Sequence, residues 1–254
     1  ALGVERAPLC PNCKGCKSCN LKNVYNSIKD LEEDKRIIQN LRFDEVEQRW
    51  ICKYPKQLPI YQLSNNKNSA LKRLYSLERK LNKLKQVESF DKVFKEAEER
   101  GVYRRLTKEE SAQYEGVVRY SPLVAVAKES LTTPLRLCAD SADNDGGLSL
   151  NDVLVKGSGL VNPLFNVLCA FRKGAVGLQG DISKFYNSVR SCPEDAHLRR
   201  VLWRSGDEQK EPEEYVTQTV MFGDHCAGTV AALAMHLSAD RMRKEFPEAA
   251  EMLT

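Results

Sequence analysis

The stretch GAVGLQGDISKFYNSVR, Gly174–Arg190, decides how the chain is read. Ala175, Val176, Gly177 and Leu178 form a short apolar run of the kind that fills a buried strand. The run stops at Gly180-Asp181 and passes at once into Phe185-Tyr186. Two readings of the carboxylate stand open. In one, Asp181 caps a following helix by accepting hydrogen bonds from its free N–H groups. In the other it holds a divalent cation at a strand end. Hard cations such as Mg2+ take oxygen ligands and need only one or two protein carboxylates beside substrate phosphates.

The chain around this stretch has 254 residues, 42% hydrophobic and 29% charged, with a net charge of +4. Such a length buries a core, and the composition is that of a soluble globular protein. The mildly basic balance permits a nucleic-acid partner without demanding one. No run approaches the roughly 20 apolar residues of a membrane span, and ALGVERAPLC lacks the parts of a signal peptide. An intracellular chain with no membrane partner is therefore expected. It starts without Met and is read as a segment of a longer product. Of nine cysteines, Cys52, Cys138, Cys169, Cys192 and Cys226 are scattered singly, which suits a reducing compartment better than a disulfide scaffold.

The remaining four, in CPNCKGCKSC, follow one another at two-residue gaps: Cys10, Cys13, Cys16 and Cys19. Thiolates at this spacing suit Zn2+ or an iron–sulfur cluster. Structural zinc sites normally use two pairs set further apart, so zinc, a cluster and an unliganded linker all remain open. Beyond this Cys-rich segment (1–24), the pattern is mainly helical over 25–110. NVYNSIKDLEEDKRIIQN has helical spacing, and RWICKYP reads as a short strand stopped by Pro55. Leu71, Leu74, Leu77, Leu81 and Leu84 repeat at threes and fours, which reads as the core face of a surface helix. A further helix, DKVFKEAEERG, ends at Gly101, and Thr107 with Glu110 has capping-box spacing.

From about Val117 strands and loops take over. VVRYSPLVAVAK and PLRLCAD are β-rich, SADNDGG is turn chemistry, and NPLFNVLCAFRKG reads as a helix leading into the apolar run. HLRRVLWRSGDEQKEPEEYVTQTVMFG reads as two strands about a polar hairpin, followed by the small-residue helix AGTVAALAMHLSADRMRKEF. Asp195, Arg199 and Arg200 read as a solvated charged face. His197 and His236 read as ordinary surface or core histidines. His225 beside Cys226 lacks an orienting third group and is not read as a nucleophile–base pair.

GDISKFYNSV, with an Asp, a trailing aromatic and a strand-like lead-in, resembles the first catalytic motif of reverse transcriptases. The series CADSA, SLND, NPLFNVLCAFR, GDISKFYNSV, RRVLW and YVTQTVMFG, in that order over roughly 117–251, resembles the polymerase region of BEL/Pao-type LTR retrotransposon polyproteins. The resemblance implies an α+β fold. In it an incomplete right-hand fingers and palm (111–254) follows the helical segment that lies between protease and polymerase.

It further implies RNA-directed DNA polymerase activity, with two-metal phosphoryl transfer of a dNTP onto a primer. Asp181 would bind catalytic Mg2+ (or Mn2+), with a backbone carbonyl near Ile182. Tyr186 would lie under the sugar and reject a 2′-hydroxyl. Arg136, four residues before Asp140, would grip the triphosphate, with Lys128 as a second cation, and Gly223 would let the backbone approach the substrate. Implied partners are an RNA template, a DNA primer, and the protease, RNase H and integrase of the polyprotein. The implied setting is a cytoplasmic virus-like particle with a nuclear phase.

The sequence departs from the family at two places. DHCAG stands where Ser-Pro is common after Phe-Gly, and no hydrophobic-Asp-Asp turn follows EFPEAAEML. A segment with Asp181 alone is expected to be inactive by itself. The contrasting expectation is a non-catalytic, domesticated or decayed remnant that binds nucleic acid or protein.

Overall fold

The computed structural model describes residues 28–127, 135–160, 162, 164–177 and 179–253. The four clustered cysteines (Cys10, Cys13, Cys16, Cys19) and Lys128 lie outside the described residues. The architecture is mixed α+β, with helices packed around small sheets. Helix α1 (Ile28–Gln39) precedes an antiparallel hairpin of β1 (Leu41–Asp44) and β2 (Arg49–Cys52). Then come α2 (Lys67–Leu84), α3 (Val87–Glu99), β3 (Tyr103–Arg105) and the short α4 (Lys108–Gln113).

Strands β4 (Leu123–Ala127) and β5 (Leu135–Ala139) pair antiparallel, followed by the helical turn α5 (Leu150–Val153) and by α6 (Leu164–Phe171). A 3-10 turn, Phe185–Ser188, leads to β6 (Arg190–Ser191). A second one, Pro193–Arg199, leads to β7 (Arg200–Trp203) and β8 (Glu213–Thr217), and α7 (Ala227–Met242) and α8 (Pro247–Leu253) close the order.

Local chemistry explains most of these elements. Leu74, Leu77 and Leu81 of α2 are buried, while Leu84 is half exposed, so the leucine stripe is a core face. Helix α3 gives way to Gly101 at φ +69°, the left-handed conformation that glycine adopts without a Cβ penalty. Thr107 and Glu110 form the expected reciprocal capping box at α4, and Ser149 with Asp152 forms another at α5.

The sheets tie early and late parts of the chain together. Central β8 pairs with both β3 and β7, and β2 pairs in parallel with β6, Ile51 facing Arg190 and Cys52 facing Ser191. One core joins Leu77 and Leu81 of α2 and Phe90 and Phe94 of α3 to Trp203 and Tyr215. The other joins Ile37, Cys52 and Tyr54 to Leu150, Val189, Val220 and Val230. Residues on both sides of position 110 thus contribute to each core. No helix among the described residues is long and apolar enough to cross a membrane.

Two expectations are corrected. Residues 173–176 form bends rather than a strand, Val176 is 78% exposed, and Leu178 lies outside the described residues. Among the described residues no strand pairs with it, and an extended apolar run needs partners for its backbone hydrogen bonds. Asp195, Arg199 and Arg200 do not face solvent: each is about 2% exposed or less. They are buried because each has found a counter-charge, Lys56, Asp224 and Glu214 respectively.

Candidate functional site

The segment from Tyr186 to Ser191 is held between two others. Strand β6 lies along β2, and on its far side Val220 N–H donates to Val189 O at 2.9 Å and Ser191 N–H to Gln218 O at 2.9 Å. This pairing sets the 3-10 turn before β6 against the turn after Val220. The Tyr186 and Phe222 rings meet at 4.6 Å between centroids, and Asn187 Nδ2 donates to Val220 O at 2.9 Å.

Phe222-Gly223 is in turn pinned to the end of β5. Ala139 N–H donates to Phe222 O at 3.3 Å. Gly223 has φ +109°, and a Cβ there would fall 1.8 Å from Ala139 O. Asn151 clasps the turn from a third side. Its Nδ2 donates to Gly223 O at 2.9 Å, and its Oδ1 accepts from His225 N–H at 2.8 Å. Tyr186, Phe222-Gly223, the end of β5 and the Leu-Asn pair of LSLND therefore meet in space.

Beneath the turn lies a buried polar network. The Asp224 carboxylate accepts from Tyr54 O–H, from Ser141 Oγ at 2.8 Å, from Arg199 Nη1 at 3.0 Å and from Met221 N–H at 3.2 Å. Arg199 Nη1 also donates to Tyr54 Oη at 2.9 Å and Thr219 O at 2.8 Å. Burial pushes the Tyr54 hydroxyl well above its ordinary pKa. A buried charge kept in such company is costly to unpair, so this network fixes the backbone that carries Gly223. Tyr54, Asn151, Arg199 and Asp224 do not stand out in the sequence. The only local signal is that Asn151 lies in LSLND and Asp224 follows Gly223.

The sequence-derived site residues fall unevenly around this framework. Tyr186 is half-buried and Gly223 sits in the turn. Arg136 is exposed on β5, three residues or about 10 Å of strand before Ala139, and no carboxylate pairs with it among the described residues. Asp181 and Ile182 are exposed in an irregular stretch before the 3-10 turn. That turn is capped by Lys184 at φ +54° with no side-chain hydrogen bond, so the helix-cap reading of Asp181 has no counterpart. Among the described residues no hydrogen bond or ion pair engages its carboxylate.

Nor does any group of three His, Cys, Asp or Glu converge as a metal site among the described residues. The stretch thus offers a single carboxylate, fewer protein ligands than a two-metal centre uses. Neither Cys52 nor Cys226 acts as a thiolate: burial pushes Cys52 up to about 12 and Cys226 well above its ordinary value. His225 turns instead toward Asn151.

A second polar cluster lines an open cleft of about 680 Å3. Glu214 accepts from Lys67 at 2.6 Å, Arg200 at 2.7 Å, and Ser111 and Tyr120 at 2.9 Å each. Burial by itself would raise its carboxyl, but those hydrogen bonds outweigh it and bring the pKa to about 2. His197 stacks on Tyr114 at 3.6 Å. Burial, then the charges of Arg200 and Arg104, lower its imidazole to about 4.

No protein-family model matches the chain, and no curated protein matches it significantly.

Proposed function

We propose that the chain is the fingers and palm portion of an RNA-directed DNA polymerase of the BEL/Pao retrotransposon type. One observation carries the reading: motifs far apart in sequence, around Ala139, Asn151, Tyr186 and Gly223, converge on one rigid turn. That convergence supports a nucleotide pocket in which catalysis rests on positioning. Tyr186 is the sugar-facing aromatic in this reading, and its hydroxyl lies 3.8 Å from where a Cβ on Gly228 would stand. Arg136, exposed and without a carboxylate partner among the described residues, is the triphosphate cation, a task suited to a planar, permanently charged group. Asp181, also without a partner among the described residues, is the metal carboxylate. When bound, Mg2+ would activate the primer hydroxyl and neutralise developing charge on phosphate. The further carboxylates this needs are not among the residues described.

The test uses a longer chain that includes a hydrophobic-Asp-Asp turn, assayed for primer extension on an RNA template. Asp181→Asn is expected to lower extension by at least ~10^3-fold, the worth of several kcal/mol of metal-assisted charge stabilisation. Tyr186→Ala is expected to admit ribonucleotides. Extension that survives Asp181→Asn overturns the reading. A second reading, a non-catalytic remnant, is favoured by the isolation of Asp181, and a longer chain with no extension activity would support it.

A further inference from the structure

Helix α2 and its C-cap, Lys67–Lys85, carry seven cations (Lys67, Lys72, Arg73, Arg79, Lys80, Lys83, Lys85) and one acid, Glu78. Three of these charges are used internally. Lys67 pairs with Glu214, Arg73 with Asp140 and Asp143, and Glu78 is buried against Arg204. Lys72, Arg79, Lys80, Lys83 and Lys85 are exposed, and no carboxylate pairs with them among the described residues. At 100° per residue, Lys72, Arg79 and Lys83 fall on one narrow stripe with Lys80 beside it. At about 1.5 Å per residue the stripe runs roughly 16 Å.

We infer that this face of α2 docks the sugar–phosphate backbone of a nucleic acid. Four cations without a carboxylate partner among the described residues, Lys72, Arg79 and Lys83 with Lys80 at the side, have a net attraction for an extended polyanion, and the stripe spans about five nucleotides at roughly 3.4 Å each. Tyr75, 42% exposed, lies one turn from both Lys72 and Arg79 with the Arg204 guanidinium over its ring at 5.3 Å. It provides an aromatic face among the cations, as single-strand binders do. A lipid surface fits less well. Membrane-lying helices need an apolar face to insert, and that face of α2 is committed to the core through Leu74, Leu77 and Leu81. Glu208, an acid on the flank, accepts from Asn82 at 3.0 Å. The stripe lies outside residues 117–251, so its fate is separate from that of the polymerase reading.

Fluorescence anisotropy of a short labelled oligouridine, and of a DNA duplex of equal length, titrated with the full chain tests the inference. Binding is expected to both, because the shared ligand is the backbone, with a steep salt dependence. Lys72→Glu, Arg79→Glu and Lys83→Glu combined should weaken both by at least tenfold. They should also make the log–log salt slope shallower by about two, near 0.7 to 0.9 per lost phosphate contact. Since the three side chains are exposed, thermal melting should be unchanged. If the triple variant does not fold, the three single reversals should each weaken binding in smaller, cumulative steps. Affinity and slope equal to those of the parent chain overturn the inference. So does equal competition by poly-glutamate, which marks a general acidic-polymer surface. Stronger capture by anionic phospholipid vesicles overturns it in favour of a membrane.

Discussion

At Gly223 the backbone sits at φ +109°, and a side chain there would begin 1.8 Å from the Ala139 carbonyl oxygen. The atom in the way is backbone of β5, which cannot swing aside as a side chain could. Gly223→Ala should therefore combine left-handed strain, about 1–3 kcal/mol, with displacement of β5. A loss of about 2–4 kcal/mol is expected, read as a lower urea midpoint. A midpoint within error of the parent would mean that the turn and β5 do not press together. The sequence marks Gly223 as a place of close approach. It does not show that the nearest neighbour is the chain's own Ala139, because the two residues meet only where the Phe222-Gly223 turn packs on the end of β5.

Helix α2 is legible in sequence because its determinants are local: a leucine stripe at threes and fours, and Lys85 ending it in the left-handed conformation at φ +54°. The capping boxes at Thr107 and Ser149 are local for the same reason. The apolar run from Ala175 to Gly177 misleads because composition supplies half of a strand, and a pairing partner supplies the other half. Buried charge is equally hidden. Glu78, on the face of α2 otherwise occupied by leucines, meets Arg204 after β7 through two bonds of 2.7 Å. With Glu78 3% and Arg204 10% exposed at the side chain, removing one partner strands the other. Glu78→Leu should cost roughly 3 kcal/mol, and adding Arg204→Leu should restore most of it, since an apolar pair of similar volume packs against the same core. A double-mutant cycle in urea measures the coupling. Additive losses would show that the pair does not fasten α2 to β7.

At the scale of the whole molecule, the cluster where α4, the bridge between Tyr120 and Arg200, and β7 and β8 meet predicts a stability that falls in acid. The sequence could not show this, since Glu214 reaches Arg200 and its neighbour His197 only when the β7–β8 hairpin closes. His197 faces Arg200, Arg104, Glu110 and Glu214 and is held neutral, its pKa falling from 6.5 to about 4. Between those values the unfolded chain binds a proton that the folded chain refuses, so stability falls as pH drops from about 6.5 to 4. Glu214 is the second group. Its folded pKa is about 2 against 4.5, so its contribution is complete above pH 4.5 and is lost as pH falls toward 2. Thermal midpoints followed from pH 7 to pH 2 should therefore descend in two overlapping steps. His197→Gln should remove the upper step and leave the lower. Glu214→Gln should lower the midpoint at neutral pH, because Arg200, 2% exposed at the side chain, loses its counter-charge, and should flatten the lower step. A parent profile level between pH 6.5 and 4 would mean that His197 titrates freely, which its stacking on Tyr114 and its place beside Arg200 argue against.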